Sequence, residues 1–109
     1  MSENIPGRDA PHTVRIGELS VHLLEPVVHF RGTRFKTTPF EYEVLRYLVL
    51  RSPTPVYAKK VIEHITVPGE VPHLAPVLSL AVSRMRKRLG IAYLPPRGRG
   101  YVLRAPAVD

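Results

Sequence analysis

No cysteine occurs in the chain. A disulfide framework, a thiolate zinc site and a cysteine nucleophile are therefore excluded. No apolar run approaches the roughly 18 residues that a membrane-spanning helix needs. Residues 1–12 (MSENIPGRDAPH) lack the basic-then-apolar order of a secretory signal. A cytoplasmic protein that is used without processing and has no membrane partner is expected. Internal repeats and low-complexity tracts are also absent. The motifs of common enzymes are missing as well. The five histidines show no HExxH or HxxxH spacing, and there is no GxSxG or GxxxxGK[ST] stretch. Glu41 and Glu43 fall on different faces of one helical segment, which disfavours a paired-carboxylate site. No enzyme activity, no metal and no cofactor are expected.

What is present is one domain's worth of chain. It has 109 residues, of which 44% are hydrophobic and 23% charged, ordinary values for a globular fold. Twelve prolines predict short, sharply punctuated elements. The net charge is +7, and its placement matters more than its size. Residues 1–70 hold nine basic and eight acidic side chains. Residues 71–108 hold seven basic ones (Arg84, Arg86, Lys87, Arg88, Arg97, Arg99 and Arg104) and no acidic one. Such asymmetry in a small domain points to a polyanionic partner.

Residues 1–12 read as a loose tail, residues 13–105 as the folded domain and residues 106–109 as a C-terminal tail. Between 14 and 37 the alternation of Val14 and Ile16, then of Leu19, Val21 and Leu23, predicts short strands. Val27, Val28 and Phe30 continue them. Arg31-Gly32-Thr33 is a turn signal, with Phe35 in a fourth strand. Thr38-Pro39-Phe40-Glu41 carries a capping box and a proline at the first helical position, so a helix is expected over 38–51 with Tyr42, Leu45, Leu48 and Val49 inward. A shorter helix over 58–65 turns Val61, Ile62 and Ile65 inward, although Tyr57 at its start is a poor cap. A third helix spans 74–89. Leu78, Val82, Met85 and Leu89 form its inner stripe, and Pro76, Val77, Leu80, Ser83, Arg84 and Lys87 its outer face, with Arg88 beside it. Ile91–Leu94 and Tyr101–Leu103 are expected to pair as a hairpin around a basic, glycine-containing tip.

An α+β order of four-stranded antiparallel sheet, three helices and C-terminal β-hairpin describes a winged helix-turn-helix. Its third helix suits the DNA major groove, about 12 Å wide, and the arginines of its hairpin tip suit the minor groove. The candidate DNA-binding residues are Val77, Leu80, Ser83, Arg84, Arg86, Lys87, Arg88, Arg97 and Arg99. Arg84 is the first choice for a base or phosphate contact. Arg86 is divided between a phosphate contact and an internal ion pair. Gly98 and Gly100 are assigned to turn geometry.

Three stretches resemble the OmpR/PhoB-type winged-helix DNA-binding domain of bacterial response regulators. Phe35-Lys36-Thr37-Thr38-Pro39-Phe40-Glu41-Tyr42 with Leu45 is similar to that family's LTPTEF..L helix start. Val82-Ser83-Arg84-Met85-Arg86-Lys87-Arg88-Leu89 is similar to its I-x-R-L-R-x-K-L recognition helix, and Arg97-Gly98-Arg99-Gly100-Tyr101-Val102-Leu103 to its R-G-x-G-Y-x-L wing. The resemblance implies a sequence-specific transcription regulator of double-stranded DNA, associated with the nucleoid, with Arg97 as the wing's minor-groove probe. It also implies head-to-tail homodimers on DNA and contact between the 66–73 loop and RNA polymerase. With no room in the chain for a receiver domain, a stand-alone regulator is expected. Pro76, Val77, Leu80 and Ala81 depart from the polar residues common in the family. Either apolar contact with thymine methyl groups follows, or an alternative role as a protein-interaction module that binds RNA polymerase or another regulator.

Overall fold

The computed structural model describes residues 12–65, 74–95 and 100–106. Four short strands, β1 (Thr13–Ile16), β2 (Leu19–His22), β3 (Val28–Phe30) and β4 (Thr33–Arg34), pair antiparallel in chain order. Val14 lies opposite Val21, and Val21 opposite Val28, so apolar residues line one face across three strands. Leu19, Val21 and Val28 on that face are fully buried. The β3–β4 turn consists of Arg31 and Gly32, both with positive φ (54° and 80°). That is the backbone sign of a two-residue hairpin turn matched to strand twist. Arg31 sits there with its guanidinium 4.9 Å from the Phe30 ring centre and 3.7 Å from the Glu18 carboxylate.

The helix α1 (Pro39–Arg51) begins as its sequence predicts. The Thr38 hydroxyl accepts from the Glu41 N–H (3.1 Å), and the Glu41 carboxylate accepts from the Thr38 N–H (3.0 Å). The reciprocal pair satisfies backbone donors that a helix start leaves orphaned, and it gives the buried Glu41 carboxylate a partner. Burial on α1 is broader than the expected single stripe, because Val44 and Tyr47 are buried together with Tyr42, Leu45, Leu48 and Val49. The cause is placement. α1 packs on β1 and β2 on one side and on the other two helices on another. Pro39, Glu43, Leu50 and Arg51 are the residues of α1 that stay exposed.

The helices α2 (Ala58–Ile65) and α3 (Leu74–Leu89) occupy the expected ranges. The stripe Leu78, Val82, Met85 and Leu89 is buried, joined by Ala81. Gly90, at φ 100°, ends α3 in the left-handed conformation that favours glycine.

Two expectations fail within an otherwise matching fold: Phe35 lies just past β4, buried but outside the strand expected to contain it, and the C-terminal pairing differs. Ile91–Leu94 forms a turn instead of a strand. The Tyr93 and Leu94 N–H groups both donate to the Gly90 carbonyl (3.1 Å each), which keeps the chain coiled beyond the helix. Tyr93 and Leu94 are buried in succession, without the in–out alternation of a half-buried strand. The C-terminal strand β6 (Gly100–Tyr101) pairs instead with β5 (Val56–Tyr57), the two residues before α2. Gly100 therefore serves close strand approach, not only a turn: a Cβ there would lie 3.1 Å from the Val56 carbonyl oxygen.

Candidate nucleic-acid interface

The inner stripe of α3 fixes its roll, and the roll fixes what faces outward. At 100° per residue, Val77, Leu80, Arg84 and Lys87 fall within about 80° of arc. All four are exposed, Val77 by 44% and Leu80 by 52%. Ser83 is half-buried on the flank. Arg84 and Lys87 have no hydrogen-bond or ion-pair partner among the described residues.

Arg86 and Arg88 behave differently. Arg86 is half-buried, and its Nε donates to the Leu94 carbonyl. Sequence spacing left an internal ion pair open for Arg86; the internal partner is a backbone carbonyl. Arg88 donates to the Lys36 carbonyl (2.6 Å), and its guanidinium lies 3.8 Å from the Phe35 ring centre. A charge-assisted bond to a carbonyl and a cation–π contact both hold a long side chain in one place. These two arginines thus anchor the C-terminal end of α3, one to the following turn and one to the link before α1.

Tyr93 completes that anchoring. Its ring packs edge-on against Phe30 (5.2 Å between centres), and its hydroxyl accepts from the Glu18 N–H (2.9 Å). Gly17 makes room for it, since a Cβ there would stand 2.5 Å from the tyrosine oxygen. The end of α3 is therefore fixed to the sheet. Tyr93 was legible as an apolar residue but not as a tether, because its partners lie 63 and 75 residues away in the chain.

At the base of the wing, Tyr57 pairs with Gly100 and is 66% exposed. In sequence it reads only as a poor helix start; its position beside the wing comes from the β5–β6 pairing. Arg97, Gly98 and Arg99 at the wing tip, and the 66–73 loop, lie outside the described residues. Among the described residues, no group of three histidine or carboxylate side chains is placed to hold a metal ion. No described helix is long and apolar enough to cross a membrane.

No family model matches the chain. Among curated proteins, the cell cycle transcriptional regulator CtrA of Caulobacter vibrioides is 28% identical over 103 residues, which cover 89% of this chain and 44% of that protein. The chain thus spans less than half the length of this relative. Among solved structures, the response regulator DrrB of Thermotoga maritima, described as an OmpR/PhoB homolog, superposes with a TM-score of 0.72 at 22% identity, over 86% of this chain and 45% of that one. The DNA-binding domain of RstA from Klebsiella pneumoniae, solved in complex with the RstA box, superposes with a TM-score of 0.68 at 17% identity, over 84% and 96%.

Proposed function

We propose that this chain, which has the fold of OmpR/PhoB-type winged-helix domains, is a transcription regulator that binds double-stranded DNA with α3 in the major groove and the wing at the adjacent minor groove. The observation that carries the reading is the outward face of α3. Two exposed cations on it, Arg84 and Lys87, have no partner among the described residues, and they stand on a helix anchored at its far end, in a segment without one acidic residue from Val71 to Val108. A helix about 10–12 Å across enters a major groove about 12 Å wide. Arg84 then meets a base edge or a phosphate, and Lys87 a phosphate. Arg97 and Arg99 supply the wing's charge. Arg86 and Arg88 hold the helix in register. The complex of the RstA domain with its DNA box supports the reading by likeness of fold.

A mobility shift with mixed genomic fragments and competitor DNA tests this. Arg84→Ala should weaken specific binding by about 1–3 kcal/mol if Arg84 reads a base. Arg31→Ala, which removes a cation paired with Glu18 at the sheet's hairpin, should leave binding near wild type. Equal losses for both variants would remove α3 as the reading element.

A further inference from the structure

The first ten residues of α3, Leu74-Ala75-Pro76-Val77-Leu78-Ser79-Leu80-Ala81-Val82-Ser83, contain no charged side chain and no amide. In helix-turn-helix docking, the N-terminal residues of the reading helix are those that meet base edges. Guanine is read by bidentate Arg or Lys, and adenine by bidentate Asn or Gln. None of these is available before Arg84. Two hydroxyls, Ser79 and Ser83, discriminate weakly because they serve any base. Two large apolar side chains, Val77 and Leu80, remain exposed on the groove-facing arc. The one base feature that rewards an apolar side chain in the major groove is the C5-methyl of thymine.

Charge decides between a nucleic acid and an apolar protein as the occupant of this face. Arg84 and Lys87 continue the same arc and have no described partner, and no carboxylate lies in the segment. An apolar pair continued by two exposed cations complements a surface that offers methyl groups between phosphates. A purely apolar partner surface would leave both cations desolvated and unpaired, at a cost.

We propose that this domain selects its sites by thymine methyl readout, with Val77 and Leu80 as the specificity-determining contacts and Arg84 and Lys87 as the anchors. The proposal rests on the DNA-binding reading above and specifies how sequence is distinguished. It makes the first turns of α3 insensitive to guanine and dependent on a single carbon atom of the base.

The test starts with the full chain and a random-sequence duplex library, from which bound duplexes are recovered. Each thymine of a recovered site is then replaced by deoxyuridine, which removes the methyl and keeps every hydrogen-bonding group. Affinities are measured for the wild type, Val77→Ala and Leu80→Ala, with circular dichroism confirming that the variants fold. Removing a contacted methyl should weaken wild-type binding about fourfold, the value of one buried methyl group. At the thymine that Leu80 meets, Leu80→Ala should abolish that penalty, and Val77→Ala should do so at its own. Equal affinity for thymine and deoxyuridine at every position overturns the proposal. So does a penalty that persists in both variants, which would place the effect in DNA shape. So does Leu80→Ala with unchanged affinity and unchanged deoxyuridine ratio, the result expected of a protein-binding patch. Recovery of no duplex at all overturns the DNA-binding reading itself, and this proposal with it.

Discussion

Arg46 in α1 and Arg84 in α3 are both arginines in helices of the same domain, yet they stand in opposite circumstances. The Nε of Arg46 donates to the Leu23 carbonyl at 2.8 Å, and the side chain is half-buried where α1 meets the end of β2. Arg84 is exposed and has no partner among the described residues. The contrast extends to the helices. α1 is wrapped by sheet and helices, and even its N-terminal carboxylate is buried and bonded. α3 buries one stripe and leaves its opposite face apolar at one end and cationic at the other. Surroundings, not residue type, separate a positive charge that holds the fold from one left for a partner.

The largest effect that sharpens this comparison concerns packing. Leu45→Ala should cost about 2–5 kcal/mol, because a fully buried side chain leaves a cavity between sheet and helices. Leu80→Ala should change stability by no more than about 0.5 kcal/mol, as exposed positions do. Urea unfolding of the two variants measures both. A large loss for Leu80→Ala would mean that its face is part of the core.

The two arginines come next. Arg46→Ala should destabilise by about 1.5–3 kcal/mol, the range for hydrogen bonds made by charged groups, while the folded fraction keeps its DNA affinity. Arg84→Ala should leave the unfolding midpoint unchanged and lose affinity instead. A variant that moved both quantities would blur the distinction between holding and binding.

The cap of α1 contributes less. Thr38→Ala should cost about 0.5–2 kcal/mol, read from the same denaturant curves. An unchanged midpoint would mean that the capping box adds nothing to stability.

The smallest effect is a pH dependence. Burial raises the Tyr42 phenol above its usual value of 10, with Glu43 and Glu25 adding to the rise and Arg46 opposing it. Its hydroxyl donates to the His22 carbonyl, an interaction that needs the protonated form. A raised folded-state value means that the neutral phenol is favoured on folding. Its contribution is fully present below pH 10 and is lost as pH rises through the raised value. Stability should therefore fall on the alkaline side of pH 10, and Tyr42→Phe should flatten that fall. An identical alkaline slope in the variant would assign it to other groups.

The sheet meander and the three helices were legible because each announces itself locally. Alternation at 14–23, the Thr38–Glu41 box and the 3.6-residue rhythm of Leu78, Val82, Met85 and Leu89 are patterns within a few residues of one another. β5 was not legible, nor was its pairing with β6: a strand was expected from Tyr101, but with Ile91–Leu94 as its partner. Two residues carry no periodicity, and Val56 meets Tyr101 across 45 positions. The fates of Arg86 and Arg88 escaped for the same reason. Both sit in the run Arg84-Met85-Arg86-Lys87-Arg88-Leu89 of basic and apolar residues, and only the fold brings Leu94, Phe35 and Lys36 within their reach. The exposed face of α3 was legible as soon as its buried stripe was, since one determines the other. The wing tip at Arg97 and Arg99 lies outside the described residues.

The central claim is that the α3 face and the wing meet the phosphate backbone, and the salt dependence of duplex binding tests it most directly. With about four phosphates neutralised per monomer, the slope of log K against log salt should be near −3.6, at about −0.9 per phosphate. Titration across roughly 50–300 mM salt covers the range in which such a slope changes affinity by orders of magnitude. The account expects a slope near that value, reduced by about one in Lys87→Ala. A nearly flat slope for the wild-type chain would contradict it.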